Sequence, residues 1–303
     1  MTLIRNLNLT ATILHYVLAI IFSSYFAYIN NKYENQPVQG LQLTIRSHLI
    51  DIKTNPLSVN WISNKDNVID LKVIQGMLVS FFIITGSFHL FYYLSNEPLQ
   101  NDNKDHWNTK YTRVLQEKNN FFRWIEYSIT STLMLYIIAF TSGVKDTNIY
   151  ILLASMNVSM IAMGQLVEEN IRDGKNWQLP MFIGFLLLVF EFSVICKDFW
   201  IRLGKINDFI NQNPSYAGTQ NIPDWINYMI IVLFILFSCF GFLSLWGAYN
   251  NEQYETIEKG YIWLSLIAKT ILGIFISYGL GIRQQTQSTW VVNPTPTPTP
   301  THI

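Results

Sequence analysis

Gly260-Tyr-Ile-Trp-Leu-Ser-Leu-Ile-Ala-Lys-Thr-Ile-Leu-Gly-Ile-Phe-Ile-Ser-Tyr-Gly-Leu-Gly-Ile282 decides the reading of the chain. The stretch is long and apolar enough to cross a bilayer as a helix. Its only charged residue is Lys269. At ~1.5 Å rise per residue, Lys269 lies roughly 13 Å from the Gly260 end, near mid-membrane. An ammonium there costs at least ~2.5 kcal/mol, and neither interface is within easy reach of the side chain. Such a lysine needs a partner or must shed its charge. Three readings stand open at this point: an amine that forms a Schiff base, a lysine paired to a carboxylate for structure, and a lysine lining a transport site.

Half of the 303 residues are hydrophobic and only 13% are charged. That composition belongs to a polytopic membrane protein. The formal net charge is zero, so no nucleic-acid partner is expected. Cys196 and Cys239 both fall at or in apolar segments, which argues against a disulfide framework. Neither a metal site nor an enzymatic activity is expected. The apolar run from about Leu9 to Ile29 is too long for a signal h-region and has no small-residue cleavage site behind it, so it reads as a first span.

Seven apolar segments are each compatible with a spanning helix, at roughly 9–30, 73–95, 121–142, 148–167, 178–197, 225–249 and 260–282. The fourth carries polar Asn157 and Gln165. The expected fold class is therefore an all-α membrane protein, a seven-helix bundle covering 1–283. In the first connection, 31–72, Leu41–Arg46 and Leu57–Ile62 alternate apolar and polar residues, and Asn55-Pro56 lies between them as a turn signal. The pattern predicts a surface β-hairpin, with a loosely ordered loop as the alternative. The connection from Asn96 to Asn120 is polar and lysine-rich. Residues 284–303, which include the Pro294–Thr301 repeat, read as a disordered Pro/Thr tail. Charge bias gives the orientation only a slight lean. Nine Lys and Arg fall on the N-terminal side and ten on the other, five of the ten within 31–72. Discounting those five leans the N-terminus inward.

Two carboxylates lie well inside spans, Glu126 and Glu191. Spans three and seven start on the same side, which puts Glu126 roughly 8 Å deep and Lys269 roughly 13 Å deep. Their long side chains can meet. An ion pair at ~4 Å with an effective dielectric near 20 contributes ~4 kcal/mol. Arg123, one turn from Glu126 on the same face, is expected to hold it ionised. Ser265 and Ser131 are candidate hydrogen-bond partners. His15 and His89 share the depth of Glu126, at roughly 8–9 Å, and imidazoles beside a carboxylate can store or accept a proton.

Arg123-x-x-Glu126-x-x-x-Thr130 resembles the third-helix motif of microbial retinal proteins. Two departures separate the chain from ordinary outward proton pumps: Ser265 stands four before the lysine, and Ile137 eleven after the acid. The chain more closely resembles heliorhodopsins. The similarity lies in Arg123–Ile129, Phe88-His89-Leu90, Leu14-His15, Leu264–Lys269, Asn157–Glu168 and the long first connection. It covers about 1–283. Thr85 stands where that family usually has serine, and Phe240–Trp246 follows it only loosely. The resemblance implies all-trans retinal on Lys269 with Glu126 as sole counterion. It places Ser265, Ser131, Thr85, Met134, Phe237 and Phe240 around the chromophore. It also implies a cytoplasmic N-terminus, an extracellular C-terminus and first connection, and a homodimer in membrane lipid.

Two functions follow as expectations. One is a sensory photoreceptor that signals to an unidentified partner. The other is a light-driven or light-gated proton transporter with His15, His89, Arg123 and Glu191 as its relay. Glu191 lies roughly 20 Å along its span, about 7 Å deeper than Lys269. Its neighbours Phe190 and Phe192 are apolar. The alternative for Glu191 is contact with interfacial water or a bond to Ser238. A retinal-free transporter is the third reading.

Overall fold

The structure is a computed structural model that describes residues 2–32, 43–45, 48–54, 57–63, 67–69, 71–98, 106–144, 146–212 and 224–290. Its helices are α1 (Thr2–Lys32), α2 (Leu71–Leu94), α3 (Lys110–Glu117), α4 (Phe121–Thr141), α5 (Thr147–Arg172), α6 (Gln178–Gln212), α7 (Asp224–Tyr249) and α8 (Tyr254–Trp290). Each expected span has a counterpart in a long helix, and α3 lies within the polar connection before α4. Long apolar helices suit a bilayer because they satisfy their own backbone groups where no water can. Their ends are closed by side chains. Asn120 accepts a bond from the Arg123 backbone N–H at 3.1 Å at the start of α4, and Asp146 accepts one from Asn148 at 2.8 Å at the start of α5. Lys118 takes a left-handed conformation (φ 53°) to end α3, and Gly174 does so (φ 66°) just past α5.

The long helices pack as neighbours in a closed ring: α1, α2, α4, α5, α6, α7, α8 and back to α1. The interior is divided by chemistry. The half reached by the later turns of α4 and α8 is largely apolar, built on Phe81, Leu135, Ile137, Ile138 and Leu272, with Glu191 the buried carboxyl among its neighbours Leu188, Phe192 and Ile195. The half that holds the start of α1, the end of α2 and the starts of α4 and α8 buries His15, His89, Arg123, Glu126 and Glu258. Large apolar residues such as Ile20, Ile151 and Phe182 face outward, which suits a surface in contact with lipid.

Two expectations about the architecture are corrected. Among the described residues, six helices rather than seven are long and apolar enough to cross a membrane. The one missing from that set is α4, whose first turns carry Arg123, Glu126, Ser128, Thr130, Ser131 and Thr132; those positions serve the interior, not lipid. The expected hairpin of 41–46 with 57–62 is also not the pairing found. Strands β1 (Leu43–Ile45) and β4 (Asn67–Ile69) form one two-stranded sheet, and β2 (His48–Thr54) and β3 (Leu57–Ser63) form another. The physical reason is the short link. With only residues 55 and 56 between them, Thr54 and Leu57 pair directly, and Leu43–Ile45 is left to pair with Asn67–Ile69. The Pro294–Thr301 repeat lies outside the described residues.

Candidate functional site

Lys269 sits two and a half turns into the quoted stretch and is only 2% exposed. Its Nζ donates to Glu126 Oε1 at 3.0 Å and to Ser265 Oγ, one turn earlier on α8, at 2.7 Å. The same Glu126 oxygen accepts a bond from Thr85 Oγ1 at 2.7 Å. Three helices thus converge on one ion pair: α8 supplies the cation, α4 the anion and α2 a hydroxyl that steadies the anion. The Nζ also lies 5.6 Å from the Tyr127 ring centroid, within reach of a cation–π attraction. With water excluded, each of these contacts counts for more than it would at a surface.

Lys269 lines a partly open cavity between α4, α5, α6, α7 and α8 that holds about 850 Å³ of unfilled space, open surroundings included. Its walls are largely apolar and aromatic, among them Trp124, Met134, Met160, Phe237 and Phe240. Two glycines shape them. A Cβ at Gly164 would come within 2.3 Å of the Trp124 ring, and one at Gly241 within 2.7 Å of Phe185. At both positions the ring lies against bare backbone. An amine on the wall of such a cavity fits an apolar polyene aldehyde.

The other expected site residues are placed as follows. Ser131 lines the cavity but is not bonded to the ion pair. It donates to the Tyr127 carbonyl at 2.5 Å and accepts from Asn157 Nδ2 at 2.8 Å. His15 and His89 are neighbours, with ring centroids 5.3 Å apart. His15 Nδ1 meets the Ala11 carbonyl at 2.7 Å and His89 Nδ1 meets Asn8 Oδ1 at 2.8 Å. Both Nε2 atoms are buried with no protein partner among the described residues. Arg123 does not pair with Glu126 as expected. It ion-pairs with Glu168 of α5 and Glu258 of α8 and lies 4.0 Å from the Tyr261 ring centroid. Two carboxylates outbid one, and the guanidinium is long enough to turn to them. Glu191 is fully buried, and neither carboxyl oxygen has a partner among the described residues. Ser238, the expected alternative partner, donates instead to the Phe234 carbonyl at 2.8 Å.

Sequence reasoning did not assign roles to Glu168, Glu258, Asn8 or Tyr111. Glu258 lies two residues before the apolar stretch and Glu168 near the end of α5, so a search confined to mid-span carboxylates passes over both. The available signal was Arg123 itself, a cation needing more than one anion.

The heliorhodopsin family model matches residues 4–280. The chain belongs to the heliorhodopsin family. As a heliorhodopsin it is a light-absorbing retinal protein and an integral, multi-pass membrane protein. A crystal structure of thermophilic rhodopsin resembles it with a TM-score of 0.52 over 95% of each chain, at 14% identity. That likeness shows the shared fold. No curated protein matches the sequence.

Proposed function

We propose that this heliorhodopsin is a sensory photoreceptor carrying all-trans retinal on Lys269, with Glu126 as counterion. The observation that carries the reading is the Lys269–Glu126 pair, 3.0 Å apart, with Lys269 on the wall of an apolar cavity. Bound at Nζ, retinal would supply visible absorption and a light-driven change of shape. The chain supplies the rest. Glu126 stabilises positive charge at Nζ, Thr85 and Ser265 orient the pair, and the aromatic walls exclude water. His15 and His89, near the pair and with free Nε2 atoms, are positioned to take a proton that leaves Nζ. In this reading the slow relaxation that follows is what a signalling partner senses. The N-terminus faces the cytoplasm, the C-terminus lies outside, and the protein works as a homodimer in membrane lipid. The test is a spectrum: purified protein given all-trans retinal should form a visible pigment that Lys269→Ala does not form.

A second reading, proton transport, is favoured by Glu191. A fully buried carboxyl with no protein partner is costly and in membrane proteins marks ion pathways. By helical rise it sits about 7 Å deeper than Lys269, away from the histidines, which would put groups that hold protons on both sides of Nζ. A photocurrent under voltage clamp separates transport from sensing.

A further inference from the structure

Apart from the Lys269–Glu126 pair, the bundle buries a second charged group. Arg123 ion-pairs with both Glu168 and Glu258. The exposures are 3%, 9% and 2% for Arg123, Glu168 and Glu258. Two carboxylates face one guanidinium, so full ionisation leaves one uncompensated negative charge in the interior. Buried charge is tolerated when paired or neutralised. The remaining groups that face the two carboxylates are neutral donors. Asn120 donates its backbone N–H to Glu168 at 3.2 Å and its Nδ2 to Glu258 at 2.9 Å. Trp124 Nε1 donates to Glu168 at 2.8 Å, Tyr254 donates to Glu168 at 3.5 Å, and Tyr111 donates to Glu258 at 3.4 Å. Tyr261 covers the guanidinium. The nearby lysines are engaged elsewhere, Lys118 with Glu252 at 3.3 Å and Lys259 with Glu255 at 2.9 Å. Among the described residues no second cation balances the pair.

The pair is also connected in two directions. Inward, Tyr111 stacks on Tyr92 with ring centroids 4.6 Å apart, and Tyr92 meets the His89 ring edge-on at 5.9 Å. His89 in turn stands next to His15. Outward, Glu168 and Tyr254 line a second, partly open hollow whose other walls include Ile171, Asn251 and Lys118. The Lys118 side chain is 30% exposed, so this hollow lies beside the surface at the N-terminal end of the bundle.

We propose that Glu168 and Glu258, bridged by Arg123, share one exchangeable proton and form the port through which this protein trades protons with solution on its N-terminal side. The O–H bond of the shared carboxyl breaks, its proton passes to water in the hollow, and the pair becomes fully ionised. The trigger is charge. A proton arriving on the histidines adds a positive charge at the inner end of the Tyr111–Tyr92 stack and favours loss of the shared proton. One proton leaves as one arrives. The light-driven trigger rests on the retinal reading above; the shared proton does not.

Infrared spectroscopy tests the shared proton without light. The purified full chain in neutral buffer should show a carboxylic C=O band that shifts in heavy water. This band should persist in Glu191→Gln and vanish in both Glu168→Gln and Glu258→Gln, since removing either partner leaves a single carboxylate against Arg123. A band that survives in both variants, or a wild-type band that Glu191→Gln removes completely, overturns the proposal. Tyr111→Phe leaves both carboxylates in place and covers the case in which the glutamine variants do not fold. Flash excitation with a pH-indicating dye should then show proton release at least threefold slower than wild type. A rate equal to wild type overturns the inward link. Failure of the wild-type chain to form a pigment is visible before any flash and counts against the retinal reading, while the dark infrared result still decides the port.

Discussion

Lys269 Nζ and Thr85 Oγ1 bind the same oxygen of Glu126, at 3.0 and 2.7 Å. One carboxylate oxygen therefore carries both the ion pair and the bond that orients it. Any change of charge at Nζ is felt at once by α2 through Thr85, and by α8 through Ser265. This coupling ties the state of the lysine to three helices.

Replacing Lys269 with alanine removes the only amine that lines the cavity among the described residues. Lys269→Ala supplied with all-trans retinal should stay colourless, with the helical content of wild type by circular dichroism. A visible pigment in the variant that hydroxylamine bleaches would sink the assignment.

Glu126→Gln removes the anion but keeps the shape. The sign is set by charge: without the anion, the cation at Nζ is less stable, so the visible pigment gives up its proton at lower pH than wild type. From ~4 kcal/mol for a close pair, the bleaching midpoint should move down by up to about three pH units. A pH titration of the absorption maximum measures it. Coincident wild-type and variant titrations would show that another group supplies the counter-charge.

Gly164 is a steric test of the cavity. A Cβ there would come within 2.3 Å of the Trp124 ring, so Gly164→Ala forces the ring toward the cavity. Overpacking of this kind costs about 1–3 kcal/mol. The variant should take up retinal more slowly and absorb at a shifted wavelength. Uptake and absorption equal to wild type would mean that the ring moves away from the cavity.

Glu191 decides between sensing and transport. If protons cross, illuminated cells under voltage clamp give a current that depends on pH and on potential, because one charge crossing 100 mV gains ~2.3 kcal/mol. Glu191→Gln should abolish the sustained current with little change in the dark spectrum. An absence of wild-type photocurrent at every voltage and pH leaves sensing as the function.

Orientation is tested by labelling. With the N-terminus in the cytoplasm, an antibody should reach an N-terminal tag only after cells are permeabilised. Labelling of intact cells would reverse the assignment.

The sequence alone determined where helices run and which residue is out of place. Hydropathy is a local property, and one ammonium within Gly260–Ile282 is conspicuous whatever surrounds it. Helical rise also set Glu126, His15 and His89 at a common depth, and α1, α2, α4 and α8 bring them together. Partner choice was not legible, because depth and helical face do not say which of several anions wins a cation. Arg123 stands one turn from Glu126 and on paper serves it; in the fold Glu168 and Glu258 arrive from α5 and α8 and take the guanidinium. Glu191 was balanced between water, Ser238 and isolation until packing closed around it and Ser238 turned to its own helix. Strand pairing in the first connection followed the same logic. Alternation marked Leu41–Arg46 and Leu57–Ile62 as extended, but the two-residue link between Thr54 and Leu57 decided which strands meet.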